Sequence, residues 1–134
     1  MKANELMIGD IVIVNNTPLK IAALGTKKAG FIDAKGEMFY HDYENLKPMR
    51  PTIELMEKNG FVLTVYTENA DIRHKSYSYI EDDGLKVATI VFSDEQIDLF
   101  ATTPEKTLCI DVLRDMQDLQ HTLKLCGIKK EIEL

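Results

Sequence analysis

The sequence predicts an α+β protein in two packing units, and three observations carry that prediction. Residues 1–50 hold short β-type runs punctuated by Gly and Asn-Asn, whereas residues 51–134 alternate amphipathic helical stretches with longer strands. Between them, Lys47-Pro48-Met49-Arg50-Pro51 sets two prolines three apart, each driving its predecessor out of the α region. Finally, 134 residues fit one ordinary domain or two very small ones sharing a core, and 45% hydrophobic content suffices to fill it.

In the first unit, residues 1–50, Ile11-Val12-Ile13-Val14 is a β-branched run opened by Gly9-Asp10 and closed by Asn15-Asn16. Leu19, Ile21 and Ala23 share one side of the next run, which Gly25 ends. Ala29–Asp33 and Glu37–His41 flank the turn-forming Ala34-Lys35-Gly36, and Leu46–Met49 adds a short last strand. Four or five short strands with tight turns imply a small, strongly bent sheet, for which an SH3-like β-barrel is the expectation.

In the second unit, residues 51–134, Thr52 is the expected N-cap of a short helix that Asn59-Gly60 stops. Phe61–Tyr66 is the clearest strand. Ile72–Ile80 and Lys86–Phe92 read as a hairpin through Glu81-Asp82-Asp83-Gly84. Ser93-Asp94-Glu95-Gln96 has the form of a capping box opening a helix through Phe100, broken at Thr102-Thr103-Pro104. After a brief strand at Leu108-Cys109-Ile110, Asp111 is the expected cap of a helix reaching Cys126. Its apolar stripe is Val112, Met116, Leu119, Leu123 and Cys126, and Gly127 stops it. The expected second unit is therefore an antiparallel sheet packed by two or three helices.

Charge is unevenly placed. Residues 1–51 hold seven Lys/Arg against six Asp/Glu, a net +1, and residues 52–134 hold nine against sixteen, a net −7. An acidic half repels a phosphate backbone, which disfavours a general nucleic-acid coat. No run approaches the roughly 20 apolar residues of a membrane span. The opening Met1-Lys2-Ala3-Asn4-Glu5-Leu6 lacks the apolar core of a secretory signal, so a cytoplasmic protein without membrane contact is expected. Cys109 and Cys126 read as reduced, buried thiols.

Two constellations have the residue types of a binding surface. Tyr40, His41 and Tyr43 form an aromatic cluster in the barrel-like half, where exposed rings suit an extended peptide; plain packing is the competing reading. In a strand, Arg73, Lys75, Tyr77 and Tyr79 share one face, a platform for stacking unpaired bases beside cations. The competing reading buries those tyrosines, because the opposite face, His74-Ser76-Ser78, is polar.

Chemistry-bearing motifs are sparse. Asp111, Asp115, Asp118 and His121 follow one helix side, but each step climbs about 5 Å, so one ion reaches only two of them. A solvated face with Arg114 pairing Asp118 accounts for them. No Gly-x-Ser-x-Gly elbow, Walker loop or dinucleotide fingerprint occurs, and Cys109 beside His121 is only a nominal thiol–imidazole pair. No catalytic residue, metal ligand or cofactor is assigned.

Three segments carry a resemblance: Asn4-Glu5-Leu6-Met7-Ile8-Gly9-Asp10, Thr52–Phe61, and Val112-Leu113-Arg114-Asp115-Met116-Gln117-Asp118-Leu119. Their order and spacing resemble small uncharacterised proteins of Bacteroides-type gut bacteria and their phages or mobile elements. Those begin Asn-Glu-Leu-Arg-Ile-Gly-Asn and close on a Val-His-x-Leu-Gln-Asn-Leu helix. Arg114 and Asp118 stand where that pattern has His and Asn. The resemblance implies a genomic setting and brings no catalytic residue. The expected function is a non-catalytic interaction module with a protein partner. Single-stranded nucleic-acid binding is the alternative, and a small enzyme or metal protein the third.

Overall fold

A computed structural model of the chain describes residues 1–68, 73–82, 84–102 and 107–134, the side chains of residues 68, 73 and 107–110 excepted. It is a mixed, mostly β protein with two α-helices among the described residues, and it divides into two compact units. One comprises Met1–Arg50 with Asp115–Gln117 and Leu134; the other comprises Pro51–Arg114 and Asp118–Glu133.

In the N-terminal unit, β1 (Ile11–Val14) and β2 (Thr17–Lys20) form a hairpin. Its turn is Asn15-Asn16 at φ 51° and 64°, left-handed positions that asparagine tolerates and that match strand twist. The run 19–24 divides at Ile21-Ala22, and β3 (Ala23–Leu24) joins β4 (Lys28–Ile32) and β5 (Met38–Asp42). The β4–β5 turn is closed by Asp33, whose carboxylate accepts from the Lys35 and Glu37 amides at 2.8 and 2.9 Å. After a 3-10 turn at Tyr43–Asn45, β6 (Lys47–Pro48) pairs antiparallel with β1. The product is two three-stranded sheets, β2-β1-β6 and β3-β4-β5, with no closed barrel. Val12, Val14, Ile21, Ala29, Phe31 and Leu46 are the heart of its core.

The second unit opens on α1 (Ile53–Lys58), where Thr52 Oγ1 accepts from the Leu55 amide at 3.2 Å and Gly60 takes φ 87° beyond the C-cap Asn59. A five-stranded antiparallel sheet follows in the order β11-β10-β9-β8-β7. Its strands are β7 (Val62–Glu68), β8 (Arg73–Ile80), β9 (Val87–Ser93), β10 (Ile97–Thr102) and β11 (Thr107–Val112). The helix expected over residues 93–100 is not formed, for a physical reason. Ile97, Leu99 and Ala101 are buried while Asp98 and Phe100 are half-exposed, a period of two that only a strand satisfies. Ser93 closes a β-turn instead: its Oγ accepts from the Gln96 amide at 3.3 Å and donates to the Gln96 carbonyl at 2.9 Å.

The last helix also starts later than its stripe suggests. Asp111 and Val112 end β11, so α2 runs from Met116 to Leu125. Pairing of Asp98 with Val112 holds that stretch extended, and Asp111 accepts from Thr122 Oγ1 at 3.0 Å rather than capping. Met116, Leu119, Leu123 and Cys126 are buried, whereas Val112 is 51% exposed. Gly127, at φ 73°, ends the helix, with the Ile128 amide donating to the Leu123 carbonyl at 2.9 Å. Ile72, Asp83, Thr103 and Pro104 lie outside the described residues, as does the side chain of Cys109.

Candidate functional site

Cross-strand register decides which aromatic side chains of the N-terminal unit reach solvent. Phe31 pairs with Phe39, and Ala29 with His41, on the face turned to the core. There Phe31, Phe39 and His41 form a ring cluster with centroids 5.7–5.9 Å apart, so His41 is a half-buried packing residue. Tyr43 is also taken inside. The 3-10 turn after β5 swings it to 9% exposure, and its hydroxyl donates to the Gly25 carbonyl at 2.6 Å.

The other face of β3-β4-β5 carries Tyr40 opposite Gly30, Met38 opposite Ile32, and Asp42 opposite Lys28. Tyr40, Ile32 and Met38 are 58, 57 and 42% exposed, a contiguous apolar patch on the outer face of this sheet. Gly30 is its floor. A Cβ there would stand 2.9 Å from Met38 Sδ, 3.0 Å from Tyr40 Cε1 and 3.1 Å from Ala23 Cβ, so both side chains lie on β4 because the residue beneath has none. Lys28 and Asp42, 3.8 Å apart, mark a polar rim. Of the three residues Tyr40, His41 and Tyr43, the structure therefore leaves one on the surface and adds Ile32 and Met38, which sequence reasoning passed over. The available signal was a glycine inside a strand run.

The second constellation divides along its length. Register puts Lys75, Tyr77 and Tyr79 on one face of β8, opposite Phe92, Ile90 and Ala88. Tyr77 is buried and meets Phe92 edge-on at 5.9 Å; burial first, then Glu57 and Glu54, push its phenol pKa up. Tyr79 is half-buried, 5.6 Å from the Phe61 ring and beneath Lys130 Nζ at 5.1 Å. Both ends open onto surface cavities: Tyr79 lines one of about 310 Å3 with Glu81, Asp82, Lys86 and Lys129, and Lys75 lines another. Its Nζ lies 5.5 Å over the Tyr66 ring, beside a cavity of about 320 Å3 lined by Ile53, Tyr66, His74, Lys75, Phe92, Ser93 and Asp94. Arg73 lies in β8, its side chain outside the described residues.

Two aromatic rings, an ammonium, an imidazole and a carboxylate around one cavity can hold a flat, charged group. The Ser93 hydroxyl at its rim is engaged by the Gln96 backbone on both sides. Away from this cavity, Arg114, just before α2, binds Asp118 in its first turn through Nε and Nη2 at 3.0 and 3.1 Å. Those bonds hold the Asp118 carboxyl below the usual carboxylate range against the opposing effect of its burial. Among the described residues no three His, Cys, Asp or Glu side chains gather as an ion site, and no helix is long and apolar enough to cross a membrane.

No protein-family model, curated protein or solved structure matches the chain.

Proposed function

We propose that this protein is a non-catalytic interaction module that docks a protein partner on the Tyr40 face. The observation that carries the reading is Tyr40 laid with Met38 over Gly30: a large aromatic anchor with Ile32 beside it and the Lys28–Asp42 pair at its edge. Rigid aromatic anchors at low entropy cost are the usual source of binding energy in protein interfaces. The matching partner presents an aliphatic side chain to the Tyr40 ring and polar groups to Lys28 and Asp42.

The order of strands supports a finer reading of this unit as an opened SH3-like barrel. One strand crosses from the first sheet to the second as β2 and β3, and β6 returns to β1 after a 3-10 turn. The resemblance in the opening, middle and closing segments supports reading the module as an accessory protein of a phage or mobile element, and the absence of a signal-like opening run supports the cytoplasm as its setting. Binding of a captured partner by wild type and by Tyr40→Ala, each with its melting temperature, tests the docking face.

A specific observation favours a second reading, single-stranded nucleic-acid binding at the Lys75 end. Tyr66, Phe92, Lys75 and His74 surround one cavity of a size that takes an unpaired base. Asp94 in the same wall and the net −7 of residues 52–134 oppose it. Its test is affinity for a short oligonucleotide across salt: a steep decline supports this reading, and a flat response ends it.

A further inference from the structure

Asn59-Gly60 is the dipeptide in which asparagine most readily converts itself to aspartate, because glycine leaves the following backbone nitrogen unshielded. The fold holds this step unreactive. Asn59 is 4% exposed. Its carboxamide donates to the Leu55 and Glu133 carbonyls at 2.9 and 2.8 Å and accepts from the Glu133 amide at 2.7 Å. Conversion also requires the Gly60 nitrogen to eclipse Asn59 Cβ, a ψ of about −120° from the tetrahedral geometry of an L-residue. The observed ψ is 16°, and the Gly60 amide is committed to the Glu57 carbonyl at 3.1 Å.

Two of the three carboxamide bonds come from Glu133, in the irregular segment 128–133 that follows α2. That segment is a strap. It buries Ile128 and Ile132. Its other fastenings are polar: the Lys129 amide donates to Glu81 Oε1 at 2.5 Å, and Lys130 Nζ lies 5.1 Å over the Tyr79 ring. A segment so held opens locally at less cost than the five-stranded sheet.

We propose that Asn59-Gly60 is a self-modification site gated by the strap 128–133, and that its reaction makes strap opening irreversible. When the strap lifts, Asn59 loses its Glu133 partners and its backbone is free to turn. The Gly60 nitrogen, its proton lost to water, attacks Asn59 Cγ. A Cγ–N bond forms, the Cγ–NH2 bond breaks, and the amide leaves as ammonia after taking a proton from water. A second water opens the succinimide at either carbonyl, giving aspartate or isoaspartate; solvent is the sole co-reactant. A carboxylate at position 59 has no proton to donate, so it opposes the Leu55 and Glu133 carbonyl oxygens that the amide bound. A buried charge without a donor is costly, and the strap does not latch again.

The test follows loss of the Asn59 amide by peptide mass spectrometry, on the full chain at mildly alkaline pH. Wild type is compared native and in urea, beside two strap variants. Glu133→Pro deletes one latch donor and Ile132→Ala trims one buried side chain; whichever keeps the wild-type circular dichroism is scored. The expected native rate is about a hundredfold below that in urea, the protection given by three hydrogen bonds. The folded strap variant should convert about tenfold faster than wild type. In Asn59→Asp, hydrogen exchange at the Glu133 amide should accelerate by about tenfold. Equal rates in native and unfolded wild type overturn the inference. So does a folded strap variant that converts no faster than wild type, or Asn59→Asp with wild-type exchange at Glu133.

Discussion

Tyr40 and Gly30 face each other across the β4–β5 ladder, and the phenol ring fills the space that a side chain at position 30 would occupy. A glycine usually weakens a strand, because it has nothing to pack and loses more backbone entropy. Here a neighbouring aromatic covers the gap, which also fixes the ring on the surface. Stability and recognition thus rest on the same pair.

Gly30→Ala tests that pair. The added methyl meets Met38 Sδ and Tyr40 Cε1 at 3.0 Å or less, so both side chains must lift. The expected cost is about 1–3 kcal/mol of stability, as for other overpacked sites, together with weaker partner binding. Denaturant unfolding and a binding titration read the two effects separately.

Tyr43 behaves in the opposite way to Tyr40. Tyr43→Phe removes the hydrogen bond to the Gly25 carbonyl and should cost about 1 kcal/mol; Tyr43→Ala also opens a cavity and should cost about 3–5 kcal/mol. Partner affinity of the folded fraction should stay unchanged for Tyr43→Phe. A double substitution of Tyr40 and Tyr43 therefore mixes two effects and is the wrong reagent.

Asn59 clamps the chain's last segment. Its buried side-chain amide donates to the Leu55 and Glu133 carbonyls at 2.9 and 2.8 Å and accepts from the Glu133 amide at 2.7 Å. Asn59→Ala strands these groups at about 1–3 kcal/mol each where water cannot reach them. The readout is a lower unfolding midpoint with faster hydrogen exchange at the Glu133 amide.

Acid should weaken the fold through Asp118. Its folded carboxyl titrates below the unfolded value of about 4 because of the Arg114 hydrogen bonds. The contribution is complete above that value and disappears as pH falls through the depressed folded pKa. Denaturant midpoints for wild type and Arg114→Ala should differ at pH 6, and the difference should shrink as pH falls below the unfolded value of about 4.

Much of the strand pattern was legible because turn chemistry is local. Asn15-Asn16, Gly36, Thr52 and Asn59-Gly60 each act through their own backbone, so the residues name the turn. The capping-box pattern at Ser93 misled because the same side-chain bond also closes a β-turn; the alternation of Ile97, Leu99 and Ala101 was the stronger signal. The α2 start was hidden for a related reason. Val112 fits the helical stripe, but pairing with Asp98 holds it in β11.

The candidate site was half legible. Tyr40 was recognisable as a surface aromatic, but whether Tyr43 joined it depended on a 3-10 turn that leaves no periodic trace. Likewise Lys75, Tyr77 and Tyr79 do share a face, yet burial along one strand grades from Lys75 to Tyr77 with the packing above it, which spacing cannot report.

The most direct measurement of the central claim is affinity capture with tagged wild type and tagged Tyr40→Ala from the native host, both nuclease-treated and read by mass spectrometry. The account predicts a partner at near-equal stoichiometry on wild type, lost from Tyr40→Ala while the two melting temperatures agree. Equal recovery of that partner by both proteins would contradict it.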